Sequence, residues 1–137
     1  WRTNFGLRQS LNLGPSPSSL VHALVVGLHG DLGSGKTTFT QAVAAALGVA
    51  DTVTSPTFVI EKIYKITHER FQHLIHVDAY RLQNGEELAH LGWHDLLADA
   101  HNLILLEWPE RVASVLPPDL IKLNFVFVDE TTRHITW

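Results

Sequence analysis

The segment Gly30-Asp31-Leu32-Gly33-Ser34-Gly35-Lys36-Thr37 constrains this chain more than any other, because a loop of this composition works only between a buried strand and the start of a helix. Both neighbours are legible. Leu24, Val25, Val26, Gly27 and Leu28 form a continuous apolar run bounded by glycine, as a strand buried on both faces does. From Lys36 to Leu47, the residues Phe39, Val43, Ala46 and Leu47 recur at helical spacing, and Gly48 supplies a stop. A strand that feeds a helix through such a turn belongs to an α/β fold, with a mostly parallel sheet flanked by helices.

The remaining segments extend that pattern. Thr3 or Asn4 can cap a short helix through Phe5, Leu7 and Leu11 toward Gly14, and Pro15 to Ser19 make a loop rich in helix breakers. Val59 to Ile66 and Phe71 to Tyr80 are both rich in β-branched and aromatic residues. The polar stretch Thr67–Arg70 between them predicts an antiparallel hairpin, whose second arm, Leu74-Ile75-His76-Val77, ends at Asp78. Glu86–Leu91 and Asp95–Ala100 read as short helices. Leu103-Ile104-Leu105-Leu106 is another buried strand and delivers Glu107 at its carboxyl end, where open α/β sheets place ligands. Pro109 starts a helix to Val115, Pro117-Pro118 ends it, and Ile121 to Val128 alternates as a final strand, expected at a sheet edge. With no repeat and no polar linker, residues 1–137 are expected to form one domain.

Composition narrows the classes. A net charge of −4 and only ten scattered Lys and Arg argue against a surface that grips nucleic acid directly, since that needs clustered cations. No apolar run approaches the roughly eighteen residues of a membrane span. The chain has no cysteine, which fits a reducing cytosol. Nothing ahead of the first strand reads as a targeting segment, so a start at Trp1 is expected to be trimmed, not targeted.

The chemistry of the glycine loop is phosphate binding. Its pattern is G-x-x-x-x-G-K-[ST]: glycines let successive backbone N–H groups turn inward, and the helix start adds the positive end of its dipole. Lys36 is placed for β- and γ-phosphates, the Thr37 hydroxyl for Mg²⁺, and Thr38 for the α-phosphate side. Asp31, Leu32, Gly33, Ser34, Gly35, Lys36, Thr37 and Thr38 are therefore the expected nucleotide-binding residues of a P-loop NTPase. Thr38 stands where a dinucleotide fingerprint wants Gly or Ala, and no Asn-Lys-x-Asp guanine reader occurs, which leaves ATP by elimination.

Phosphoryl transfer also needs acids near the metal. Asp78 and Glu107, each at the end of a buried strand, are the candidates, against the plainer reading of turn acids or caps. Asp31 can position a water or partner, or be solvated. Ser55-Pro56-Thr57-Phe58 lies about twenty residues after Lys36, where a switch threonine is as good a reading as an ordinary proline turn. Trp108 packs on the nucleotide or fills core, and by itself the core reading is the stronger. The nine histidines lack zinc-site spacing, and surface positions suffice for them.

Taken together, His29 to Thr38, Ser55-Pro56-Thr57-Phe58, Asp78-Ala79-Tyr80-Arg81, Glu86-Glu87-Leu88 and Glu107-Trp108-Pro109-Glu110-Arg111 resemble the bacterial ATPases of tRNA threonylcarbamoyladenosine biosynthesis, the TsaE or YjeE family. The resemblance implies weak hydrolysis of MgATP to ADP that supports the threonylcarbamoyl transferase complex of TsaD and TsaB. That complex modifies the adenosine next to the anticodon of ANN-decoding tRNAs, so contact with tRNA is indirect and the location cytoplasmic. It also implies that Thr57 belongs to a switch-like segment, Asp78 is the Walker B acid, Glu107 lies at Mg²⁺ and Trp108 near the nucleotide. A small-molecule P-loop kinase and a nucleotide-gated binding module without hydrolysis are the competing readings. The kinase is disfavoured by the few arginines after Asp78, namely Arg81, Arg111 and Arg133.

Overall fold

The computed structural model describes residues 21–50, 53 and 60–137. The N-terminal helix expected from Thr3 and the Ser55–Phe58 segment lie outside these residues.

The described chain is a six-stranded mixed sheet with helices packed against it. In chain order the elements are β1 (Leu24–His29), α1 (Lys36–Ala46), β2 (Glu61–Lys65), β3 (His73–Asp78), α2 (Gly85–Ala89), α3 (Trp93–Ala98), β4 (Asn102–Glu107), a 3₁₀ segment (Pro109–Val115), β5 (Ile121–Asp129) and β6 (Thr132–Thr136). The sheet order is β2-β3-β4-β1-β5-β6. The four inner strands run parallel, and β2 and β6 pair antiparallel on the flanks.

Period-two alternation splits the inner strands between two cores. Leu24, Val26 and Leu28 of β1 pack with Leu103 and Leu105 of β4 beneath Phe39, Val43 and Leu47 around α1. Val25, Ile75, Val77, Ile104 and Leu106 face the other way, onto Leu88 and Trp93. Trp93 is fully buried and its indole N–H donates to the Val115 carbonyl at 2.9 Å, which ties α3 to the 3₁₀ segment. The helix starts are handled differently. Asn84 caps α2 by accepting from the Glu87 N–H at 3.1 Å. No side chain caps α1, whose N-cap is Gly35 at φ +104, so its first N–H groups face the glycine loop.

The structure corrects one expectation about topology. Ile121–Asp129 is neither the last strand nor an edge: it lies between β1 and β6. β6 went unseen because Thr-Arg-His-Ile-Thr has a single apolar residue and no alternation to read. The helix expected after Pro109 is instead 3₁₀, broken at Val112 (φ −126, ψ 26).

Candidate functional site

One cleft opens at the carboxyl ends of β1, β3 and β4, with a volume of about 1370 Å³. The glycine loop forms its floor. Gly30 has no alternative there: a Cβ would stand 2.6 Å from the Phe125 carbonyl oxygen and 2.7 Å from Ser34 Oγ. Gly35 adopts φ +104 so that the chain can turn into α1.

Lys36 is buried, 6% exposed, and curls over the loop. Its Nζ donates to the Gly30 carbonyl, to the Asp31 carbonyl at 2.8 Å and to Ser34 Oγ at 3.4 Å. It also lies 4.4 Å from the centroid of the Trp108 ring. Burial lowers its pKa from the ordinary 10.5, and the charges of Glu107, Glu110, Asp78 and Asp31 oppose that shift.

The two acids stand side by side, since Asp78 of β3 is in register with Glu107 of β4. Their environments differ. Glu107 is 3% exposed, and its Oε1 accepts from Thr37 Oγ1 at 2.9 Å. Asp78 is half-buried, with Oδ1 accepting from the Tyr80 N–H at 2.9 Å. Its pKa is raised from 3.8 by burial; the Tyr80 bond opposes this, Glu107 adds to it, and His76 and Lys36 pull the other way.

Trp108 is the only described non-glycine residue at positive φ (φ 59, ψ 48). A bulky aromatic in that region marks a site whose surroundings over-determine the backbone. The turn aims the indole across the cleft mouth, against Tyr80 at 5.1 Å between ring centroids and toward Lys36. Arg111 stacks over Tyr80 at 5.2 Å. On the opposite rim, Arg133 of β6 passes 3.5 Å from where a Gly35 Cβ would be.

The cleft thus gathers Leu32, Gly33, Ser34, Gly35, Lys36, Thr37 and Thr38 with Asp78, Glu107 and Trp108. Asp31 is exposed on the loop and contributes its carbonyl. Thr57 lies outside the described residues. Sequence reasoning missed three groups. Tyr80 stood in a motif but was given no role, and Arg133 sits in a strand with no legible pattern. His76 is no surface histidine: it is fully buried, with Nε2 3.3 Å from Glu107 Oε1. Its signal was a polar residue inside an apolar strand, two places before an acid.

A hydroxyl and two carboxylates make an all-oxygen donor set suited to a hard divalent cation, and Thr37 and Glu107 already meet at hydrogen-bond distance. A glycine loop between β1 and an uncapped α1, with acids at neighbouring strand ends, defines a P-loop NTPase fold. A crystal structure of Bacillus subtilis YdiB is similar, with a TM-score of 0.63 and 27% identity, covering 87% of this chain and 70% of that one.

Within that class the chain belongs to the TsaE family: the profile described as threonylcarbamoyl adenosine biosynthesis protein TsaE matches residues 8–135. Relatives named tRNA threonylcarbamoyladenosine biosynthesis protein TsaE agree. The Borreliella burgdorferi protein is 38% identical over 102 residues, 74% of this chain and 72% of that protein. The Rickettsia typhi protein is 35% identical over 131 residues, 95% and 83% of the two chains. The Rickettsia felis protein is 38% identical over 110 residues, 80% of this chain and 61% of its own length. No described helix is long and apolar enough to cross a membrane.

Proposed function

We propose that this chain, as a single domain in the cytoplasm, binds MgATP in the cleft and hydrolyses it slowly to ADP. Through that cycle it supports the TsaD–TsaB threonylcarbamoyl transferase in modifying tRNA, which it meets only through the complex. The observation that carries the reading is the convergence on one loop of the buried Lys36 ammonium and the Thr37–Glu107 pair.

The roles follow from the surroundings. Lys36 and the N–H groups at the start of α1 neutralise phosphate charge. Residues 31–35 shape the floor, Thr38 lies beside the α-phosphate, and Trp108 closes the mouth over the nucleotide. Thr37 and Glu107, with Asp78 beside them, would hold Mg²⁺, which would supply charge neutralisation for the phosphates. Two acids in unlike settings divide the work. Glu107 is pinned to Thr37, and Asp78 stands in register beside it at the end of β3, held by the Tyr80 N–H, as the second acid at the phosphates. Thr57 is assigned the switch role from its spacing and the family resemblance.

The test is MgATP hydrolysis by the purified protein, alone and with TsaD–TsaB, together with tRNA threonylcarbamoylation over several turnovers. Hydrolysis stimulated by the complex and required for repeated modification is the expected result. Modification that proceeds without this protein, or phosphate transfer to a small metabolite, overturns it.

A further inference from the structure

His76 sits on the α1-facing side of β3, between Leu74 and Asp78, and across from Leu105 of β4. Burying an imidazole there costs free energy unless it is hydrogen-bonded. One nitrogen is met: Nε2 lies 3.3 Å from Glu107 Oε1. The other, Nδ1, is buried with no partner among the described residues. An aliphatic residue would fill the same place without that unmet nitrogen, so the bond to Glu107 is what the histidine contributes.

The recipient oxygen also accepts from Thr37 Oγ1 at 2.9 Å. Three elements, β3, β4 and the first turn of α1, therefore converge on one carboxylate oxygen. Neither clamping bond engages Oε2.

We propose that His76 is a positioning residue for the phosphate site: by donating from Nε2 to Glu107 Oε1 it fixes the carboxylate that, with Thr37, receives the divalent cation. This rests on the metal-binding role proposed above for Glu107. Partners behind metal-binding carboxylates set ligand orientation, and their loss typically costs about 10–100-fold in metal affinity or activity.

The test compares His76→Leu, which keeps bulk and removes the donor, with His76→Gln, which returns an N–H at the place of Nε2. The readout is binding of a fluorescent ADP analogue, in EDTA and across a Mg²⁺ titration. His76→Leu is expected to raise the Mg²⁺ midpoint roughly 10–100-fold while affinity in EDTA changes less than about threefold, and His76→Gln to recover most of the shift. In a Glu107→Gln background, His76→Leu should add nothing further.

A wild-type midpoint in His76→Leu, alongside a shifted one in Glu107→Gln, makes His76 mere core filling and leaves the site reading intact. An unshifted Glu107→Gln defeats the site reading, and this inference with it. Should His76→Leu fail to fold, long-range ¹H–¹⁵N NMR of the metal-free wild type decides. A ring proton on Nε2 that responds to Glu107→Gln supports the clamp, and a proton on Nδ1 overturns it.

Discussion

The centre of the sheet and its flanks obey different rules. Every residue of β4 is buried, whereas β2 buries one residue in five and no residue of β6 is fully buried. In the centre a polar side chain is expensive, so the few buried there are bonded: His76 and Glu107 to each other, Glu107 also to Thr37, and Asn102 to the Leu96 carbonyl of α3. On the flanks large apolar residues lie open, Ile63 of β2 at 54% exposed among them, and so do Val126 and Phe127, also 54% exposed, at the end of β5 that runs past β1 and pairs only with β6. A polar residue is thus informative in the centre and nearly silent at the edge.

The sharpest way to break that comparison is to truncate one isoleucine in each region. Ile104 is fully exposed to packing and not at all to water, so Ile104→Ala should cost about 2–5 kcal/mol in urea unfolding. Ile63→Ala on β2 should cost under about 1 kcal/mol, because most of its side chain is already solvated. Equal losses would show that the flank is as cooperative as the centre.

Next in size is Lys36→Ala. Removing the buried ammonium should weaken ATP binding or turnover at least about 100-fold, as loss of a preorganised charge at a phosphate does. Stability should hold within about 1 kcal/mol, because burying that cation already works against folding, as its lowered pKa shows. Nucleotide titration and urea unfolding on the same sample check both halves. Loss of fold together with binding would make Lys36 a structural residue.

The same contrast explains what could be read from the residues. β1, α1, β3 and β4 were legible because full burial imposes continuous apolar runs or a helical period, and the loop between β1 and α1 has a fixed residue pattern. The hairpin of β2 and β3 followed from its polar turn. β6 was not legible, since an exposed edge strand selects no pattern, and with it went the position of Arg133 above the loop. Neither was the Trp108 turn: no local residue requires φ 59, which comes from tertiary contacts. His76 was misread because burial depends on its strand neighbours, which a single sequence does not display.

Trp108 gives a smaller, optical effect. With its ring 4.4 Å from the Lys36 ammonium, ADP should change the intrinsic fluorescence of the wild type and much less that of Trp108→Phe. Trp1, the fully buried Trp93 and Trp137, 80% exposed, supply background in both proteins. Affinity for ADP should fall only about three- to tenfold, the share of one aromatic contact. An identical fluorescence response in both proteins would return Trp108 to the core and remove it from the cleft.

The smallest expected effect is also the most diagnostic of how the centre tolerates charge. Burial raises the proton affinity of Asp78, so the folded protein holds this proton to higher pH than the unfolded chain does. Its contribution to stability is complete below the ordinary value of 3.8 and is lost as pH rises through the raised folded value; above that, the ionised carboxylate is a cost. Asp78→Asn removes the dependence. The variant should match the wild type at low pH and exceed it near neutrality by less than about 1 kcal/mol, a figure kept small because water screens a half-exposed group. That corresponds to less than about 4 °C in Tm for a chain of this length, with MgATP hydrolysis reduced about 10–100-fold in the same protein. A variant less stable than the wild type at neutral pH would mean that the Tyr80 N–H and Lys36 more than offset burial. The acid would then be a structural member of the cleft, not one held there at a cost for chemistry.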